Sequence, residues 1–347
     1  MKMFSRIEYF KSQSFFVLGC FSLLVFISCK DITDSSLKTN SIIEELDNGA
    51  YAKSAGRSLS LTVVMDNFSW QHKIGEAFRE VLAAPVKGLP QPEPLFTIRQ
   101  MNQNAFTGFV RKSRCFLKVV EGAPKGFKVL KNEYARPQIG IVISGQTPEE
   151  IISCFQQNKE QIVTFFKQME LYAKQQRIKR ILPLESIKED LQLTIKIPRS
   201  YRLAKKTSDF YWFRKNIPHG GMNILVYAVP QDFFVNSKSM PQNIIRLRDS
   251  ISGHHIPVDK GGRFITEEAF SPYIKPVTLK GFSSIETKGT WEVKNKYMAG
   301  PFINYIVKDT ASKRLVVLEG FVFAPSVKKR DYILELEAIL KTFTLSP

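Results

Sequence analysis

Cys29 is the residue in this chain whose chemistry is most sharply framed by its neighbours. Residues 15–28 form an almost unbroken apolar run, preceded by the basic residues Lys2, Arg6 and Lys11 and ending in the small Ser28 directly before the cysteine. A run of 14 residues falls short of the about 20 needed to span a bilayer as a helix, but it suits the apolar region of a secretion signal. Basic start, apolar run, small residue and cysteine follow in the order of a lipobox, with Phe26 at the place where leucine is usual. The expected chemistry is cleavage after Ser28 and transfer of a diacylglyceryl group to the Cys29 thiol. Two or three palmitate-type chains, each buried methylene contributing about 0.8 kcal/mol, would then hold the mature chain to a membrane.

Other chemistry-bearing residues are less organised. The four histidines, His72, His219, His254 and His255, form no ligand pattern with cysteines or carboxylates, and CxxC and HExxH motifs are absent. No metal and no cofactor is therefore expected. Cys115 and Cys154 remain after export, and one pair gives no framework from which to decide between a disulfide and two separate thiols. Asp66, Glu93, Glu319 and Asp331 lie beside glycine, proline or aromatic residues, and two of them could converge as an acid and base. No GxSxG elbow, phosphate-binding loop or dinucleotide fingerprint accompanies them, so no catalytic residue is assigned.

The chain carries a formal charge of +18, and removing residues 1–28 takes away three basic and one acidic side chain, leaving +16. A basic surface attracts anionic lipid or glycan, but the lysines and arginines are scattered rather than gathered in one run, and nucleic acid is not an expected partner of an exported protein. With 27 phenylalanines and 11 tyrosines the chain can fill two cores. Surplus aromatics near Trp70, Trp212 or Trp291 would form a binding patch, against the simpler expectation that these tryptophans pack inside.

Stepping along the chain, residues 1–28 read as a lipoprotein signal peptide and 29–58 as an acylated flexible tether, rich in Ser, Thr, Asn, Asp and Lys. Residues 59–182 read as a mixed α/β domain. Strands are expected at 61–65, 96–99, 115–121, 128–130 and 138–143, a helix from Ile74 to its end near Pro85, and a short helix at 105–112. The three prolines in 89–96 predict a stiff extended connection. Thr147, Pro148 and Glu150 start a long helix whose apolar face carries Ile151, Phe155, Ile162, Phe166, Met169 and Ala173, with Lys159, Glu160, Lys167 and Lys174 on a solvated face.

Residues 183–347 read as an antiparallel α/β domain, a sheet flanked by helices. Leu193, Ile195 and Ile197 alternate with polar residues, and strands are expected at 210–214, 224–229, 282–286, 290–293, 302–307 and 315–322, with a hairpin loop at 309–313. A helix near 241–252 leaves His254 and His255 in the following loop, and Asp331 is placed to cap a final helix. The fold class is thus α/β of the α+β kind, in two mixed domains. The isoleucine-proline opening, curved sheet and closing helix resemble the α/β/α sandwich of Mog and photosystem P-subunit proteins.

Val63 to Asp66, Trp70, Gly75, the stretch 89–96, Ala135 to Gln138, Trp291, Gly300 with Pro301 and Phe302, Glu319 to Val322 and Arg330 to Tyr332 together resemble the lipoprotein family called domain of unknown function 4837, of Bacteroidetes-type bacteria. The resemblance covers residues 60–342. It implies a bacterial outer-membrane lipoprotein on the periplasmic or surface face, and it supplies no catalytic residue. The expectation is a non-catalytic binding or scaffolding module of the cell envelope, meeting the membrane through its acyl chains and an envelope protein, anionic glycan or lipid as partner. The alternative is an envelope hydrolase using paired carboxylates.

Overall fold

A computed structural model describes residues 52–234, 239–259 and 261–346, so the signal segment, Cys29 and most of the tether lie outside the described residues. The chain folds as an α+β protein built on two large sheets.

The first sheet has the order β2-β1-β3-β5-β4. Strands β1 (Ser60–Val64), β2 (Thr97–Met101), β3 (Cys115–Glu121) and β5 (Ile139–Gly145) run parallel, and β4 (Gly126–Lys131) pairs antiparallel to β5. Parallel neighbours need crossover connections. Helices α1 (Asn67–Gln71) and α2 (Lys73–Leu82) supply the first, and α3 (Pro148–Gln176) follows β5. The first five apolar residues expected along α3 are at most 2% exposed, and Ala173 is 7% exposed, so this face closes the core with Phe78 and Leu117. Its start is a capping box displaced by one residue. The Thr147 hydroxyl accepts the Glu150 N–H, whereas the Glu150 carboxylate accepts from Gln146. The expected helix at 105–112 is two 3₁₀ turns, Gln103–Ala105 and Gly108–Lys112, separated where Gly108 takes a positive φ.

The second sheet is antiparallel, in the order β10-β12-β13-β14-β9-β8-β7, with β11 on the free part of β12. Its long strands are β8 (Phe210–Ile217), β9 (Gly220–Pro230), β12 (Phe282–Lys294), β13 (Ala299–Asp309) and β14 (Arg314–Phe323). The shorter ones are β7 (Arg202–Lys206), β10 (Arg263–Thr266) and β11 (Tyr273–Leu279). The expected strands 282–286 and 290–293 are one strand, because β13 pairs with β12 continuously from Ser284 to Glu292 across Gly289. Of 193–197 only β6 (Leu193–Thr194) pairs, with β15 (Thr344–Leu345), although Leu193, Ile195 and Ile197 are all buried as their alternation demands. Helix α4 (Glu185–Leu191) precedes it.

Each face of this sheet has its own helix. Helix α6 (Arg330–Leu340) packs with Tyr305, Val307 and Leu318 on one face, and α5 (Met240–His255) packs with Leu225, Phe302 and Val317 on the other. His254 and His255 form the last turn of α5 instead of a loop, and the His255 ring stacks on Phe210 at 4.0 Å.

Helix α6 also belongs to the first sheet's core, which takes in its Leu334 and Ala338. Gln175 Nε2 donates to the Ala338 carbonyl at 3.0 Å, and Lys167 pairs with Glu337 at 2.9 Å. Lys167 is therefore half-buried and bridged, not on a solvated face. The α6 cap departs from expectation too. Asp331 is exposed in the first turn, and Glu93 accepts the Lys329 and Arg330 N–H groups at 2.6 and 3.2 Å. Glu93 reaches that place because 85–94 is a folded-back loop, bridged Pro85 to Pro94, rather than a straight extended one.

Candidate functional site

The α5 face of the second sheet is incompletely covered, and the uncovered part is a pocket of about 410 Å³. Trp212 on β8, Phe264 on β10, Trp291 on β12 and Phe321 and Phe323 on β14 line it, with the segment 256–259 after α5 as one wall. The rings form a cluster. Phe264 lies 5.0 Å from both Trp291 and Phe321, and Trp291 lies 5.5 Å from Phe321, spacings that favour aromatic packing.

Two glycines make the concavity. A Cβ on Gly300 would fall 2.0 Å from the Val322 carbonyl oxygen and 3.0 Å from Trp291 Nε1, which itself donates to that carbonyl at 3.1 Å. A Cβ on Gly220, at φ +144°, would fall as close to the Phe323 carbonyl oxygen. A side chain at either place would force β14 or the indole to shift. Asn223 in the wall accepts from Trp212 Nε1 at 3.0 Å. Exposed Arg214 and Lys296 at the edge give it a cationic rim, with Asp259 opposing.

The roof is pinned by charge. Arg248 of α5, 1% exposed, donates from Nε to both oxygens of the fully buried Glu319 at 3.0 and 3.1 Å, and Asn304 Nδ2 donates to the same carboxylate at 2.9 Å. The guanidinium lies 4.0 Å from the centre of the Phe302 ring and 5.0 Å from that of Phe264. Asp249 holds the Thr266 N–H and hydroxyl, tying α5 to β10.

The four carboxylates singled out from the sequence therefore have separate tasks. Glu319 neutralises Arg248, Glu93 caps α6, Asp331 pairs with Arg330 at the surface, and Asp66 caps α1 through the Ser69 N–H at 2.9 Å. Asp66 does meet another carboxyl, that of Glu121, which no sequence motif marks. Burial and the neighbouring Asp66 push Glu121 above its ordinary value, while hydrogen bonds from Ser69 outweigh desolvation and hold Asp66 below its own. No spacing between residues 66 and 121 announces this contact. It follows from β1 and β3 lying side by side.

Cys115 and Cys154 are buried free thiols. Cys115 Sγ contacts the Phe166 carbonyl and Glu170, and Cys154 Sγ contacts the Gly126 carbonyl. Among the described residues no three His, Cys, Asp or Glu gather as metal ligands, and no helix is long and apolar enough to cross a membrane. Trp291 and Trp212 are 2% and 9% exposed, and Trp70 is half-buried under Arg79. Packing thus claims the tryptophans, but two of them pack by lining the pocket.

An antiparallel sheet sandwiched between helices, with an aromatic pocket beside one helix, is the architecture that carries these residues. Residues 181–342 match the model of the family described as Domain of unknown function (DUF4837). Residues 54–179 match a second one, Domain of unknown function (DUF8532), so the resemblance read over 60–342 is divided between two families. No curated protein matches the chain. Among solved structures, the Ran-binding protein Mog1p of Saccharomyces cerevisiae is 10% identical over 44% of this chain and 90% of its own, at a TM-score of 0.29. LpqN of Mycobacterium tuberculosis, described as involved in cell envelope biogenesis, is 15% identical over 45% and 83%, at 0.27. A STAR-related lipid transfer protein of Xanthomonas axonopodis is 10% identical over 42% and 96%, at 0.19. With scores this low the fold rests on the strands and helices described above.

Proposed function

We propose that the protein is a non-catalytic binding module of the bacterial envelope, anchored in the outer membrane by acyl chains on Cys29, whose aromatic pocket takes an anionic amphiphile. The observation that carries the reading is the lining of that pocket. Five large rings offer a low-polarity cavity of the size small ligands use, and Arg214 and Lys296 offer charge where a ligand's head would emerge. Asn223 spends its oxygen on Trp212, which leaves its amide nitrogen to donate to a ligand.

Titration with 1-anilinonaphthalene-8-sulfonate, an aromatic anion, tests the pocket. Saturable one-to-one binding with energy transfer from the tryptophans is expected, and Phe323→Ala with Arg214→Ala should weaken it by about ten-fold or more. Equal binding by the variant would overturn the assignment. The anchor is tested separately, since Cys29→Ser should move the protein out of the membrane fraction, and unchanged fractionation would remove lipidation from the reading.

The Asp66 and Glu121 contact supports the alternative, an envelope hydrolase with paired carboxylates. Hydrolysis of an envelope glycan by the native chain and its loss in Glu121→Gln would favour that alternative.

A further inference from the structure

A second cavity, of about 500 Å³, opens where the C-terminal end of α3 meets α6 and the segment around Pro198. Lys174, Arg177, Lys179, Arg180 and Arg199 line it, opposed by a single carboxylate, Glu335. Sequence gives no hint of this gathering, because Arg199 stands about twenty residues from the others. Backbone pairing brings it in. Ile181 bridges Pro198, Leu182 N–H donates to the Ile197 carbonyl at 2.8 Å, and Arg199 N–H donates to the Arg180 carbonyl at 3.0 Å.

The charges in this cavity are largely uncommitted. Glu335 already pairs with Lys215 at 2.7 Å, and among the described residues none of Lys174, Arg177, Lys179 and Arg180 lies within ion-pair distance of a carboxylate. Lys174 and Arg177 act on Glu170 only at longer range, and that carboxylate is held by Arg114 at 3.2 Å. Compensation of the α3 dipole accounts for Lys174 and Arg177, which stand at the end of the helix. It does not account for Arg180 and Arg199, which lie beyond it. Cations crowded around a concave wall repel one another and focus a positive potential into the space between them, a field that a multivalent anion relieves. Arginine forks match phosphate oxygens two at a time, and three of the five cations are arginines.

We propose that this cavity binds a ligand carrying two or more phosphate charges, and so clamps together the two family-matched regions, since its walls come from residues 174–179 on one side and 198–200 and 335–339 on the other. The site is separate from the aromatic pocket and does not depend on that pocket's ligand.

The test uses the purified full chain and two probes, inorganic pyrophosphate and phosphatidylcholine vesicles doped with cardiolipin, whose headgroup carries two phosphates. One variant combines Arg177→Ala, Lys179→Ala and Arg180→Ala, all exposed positions. Another removes the same charge at scattered exposed sites, Lys128→Gln, Lys159→Gln and Lys308→Gln. Saturable binding of a probe is expected, weakened by about ten-fold or more in the cavity variant and by about two-fold or less in the scattered one. Pyrophosphate alone binding assigns a soluble phosphate ligand, and vesicles alone binding assigns a lipid headgroup. Thermal unfolding monitored with and without probe checks that both variants fold, and the bound probe should raise the midpoint of the native chain. Equal weakening by the two variants, or saturable binding of neither probe, would overturn the proposal.

Discussion

The two sheets are covered differently, and the difference decides where a ligand can go. In the first, α2 and α3 close one face while Phe106 and Tyr134 stack around Phe116 on the other, and Gly140 leaves that ring its seat. In the second, α6 closes one face, but α5 ends at His255 and leaves the aromatics of β8, β10, β12 and β14 partly uncovered. The same residue types serve as core in one place and as pocket wall in the other. Coverage, a property of helix length and crossing, separates the two roles.

Both sheets nevertheless pin a helix through one buried arginine and glutamate. Arg114 meets Glu170 of α3 at 3.2 Å, and Arg248 of α5 meets Glu319 at 3.0 Å. Arg248→Met should be the most damaging substitution, at about 3–5 kcal/mol, because it strands a buried charge. Adding Glu319→Leu should recover most of that loss in urea unfolding. Arg114→Met should cost less. Burial already holds Glu170 above its ordinary value, so it can take up a proton once its partner is gone, and the penalty relative to the native chain should shrink from pH 7 to pH 5. Equal, pH-independent penalties would erase the contrast between the pairs.

Side-chain truncation sharpens the comparison further. Phe155→Ala in the closed core should cost about 3–5 kcal/mol, whereas Phe323→Ala at the half-exposed pocket wall should cost about 1 kcal/mol. Similar losses would mean that the pocket wall is as tightly packed as the first core.

The junction should carry the acid response. Burial alone would raise Glu286 and Glu337, but Lys167 together with Lys288 and Lys341 holds both below the ordinary carboxylate value of 4.5. Their lowered folded values mean that the unfolded chain binds more protons, so this stabilisation is complete above about pH 5 and fades as pH falls through the folded values. Glu337→Gln should flatten the acid limb of a stability profile, and an unchanged limb would assign it elsewhere. The smallest effect concerns the thiols. Burial raises both Cys115 and Cys154, so iodoacetamide at pH 8 should leave each unmodified until urea is added.

Much of this architecture was legible because local rules and tertiary packing agree. The α3 face, its Thr147 start, the 309–313 hairpin and most long strands follow from periodicity and turn chemistry. Edge strands did not announce themselves. Arg202–Lys206 is basic and largely exposed, and Tyr273–Leu279 contains Pro276, as suits strands with one unpaired side. The site was legible only as a scatter of motif residues. Trp291, Gly300, Phe302, Glu319 and Phe321 stand out in sequence, but their convergence depends on β12, β13 and β14 lying in register, and Arg248 enters from a helix about seventy residues away.

Glu93 completes the amino end of a helix that begins 237 residues later. A nascent chain thus lacks Leu334 and Ala338 from its first core until residue 338 has been made. Maturation of the earlier half must wait for α6 to be made, and a premature stop before Arg330 would leave a sticky, unfinished body for quality-control proteases.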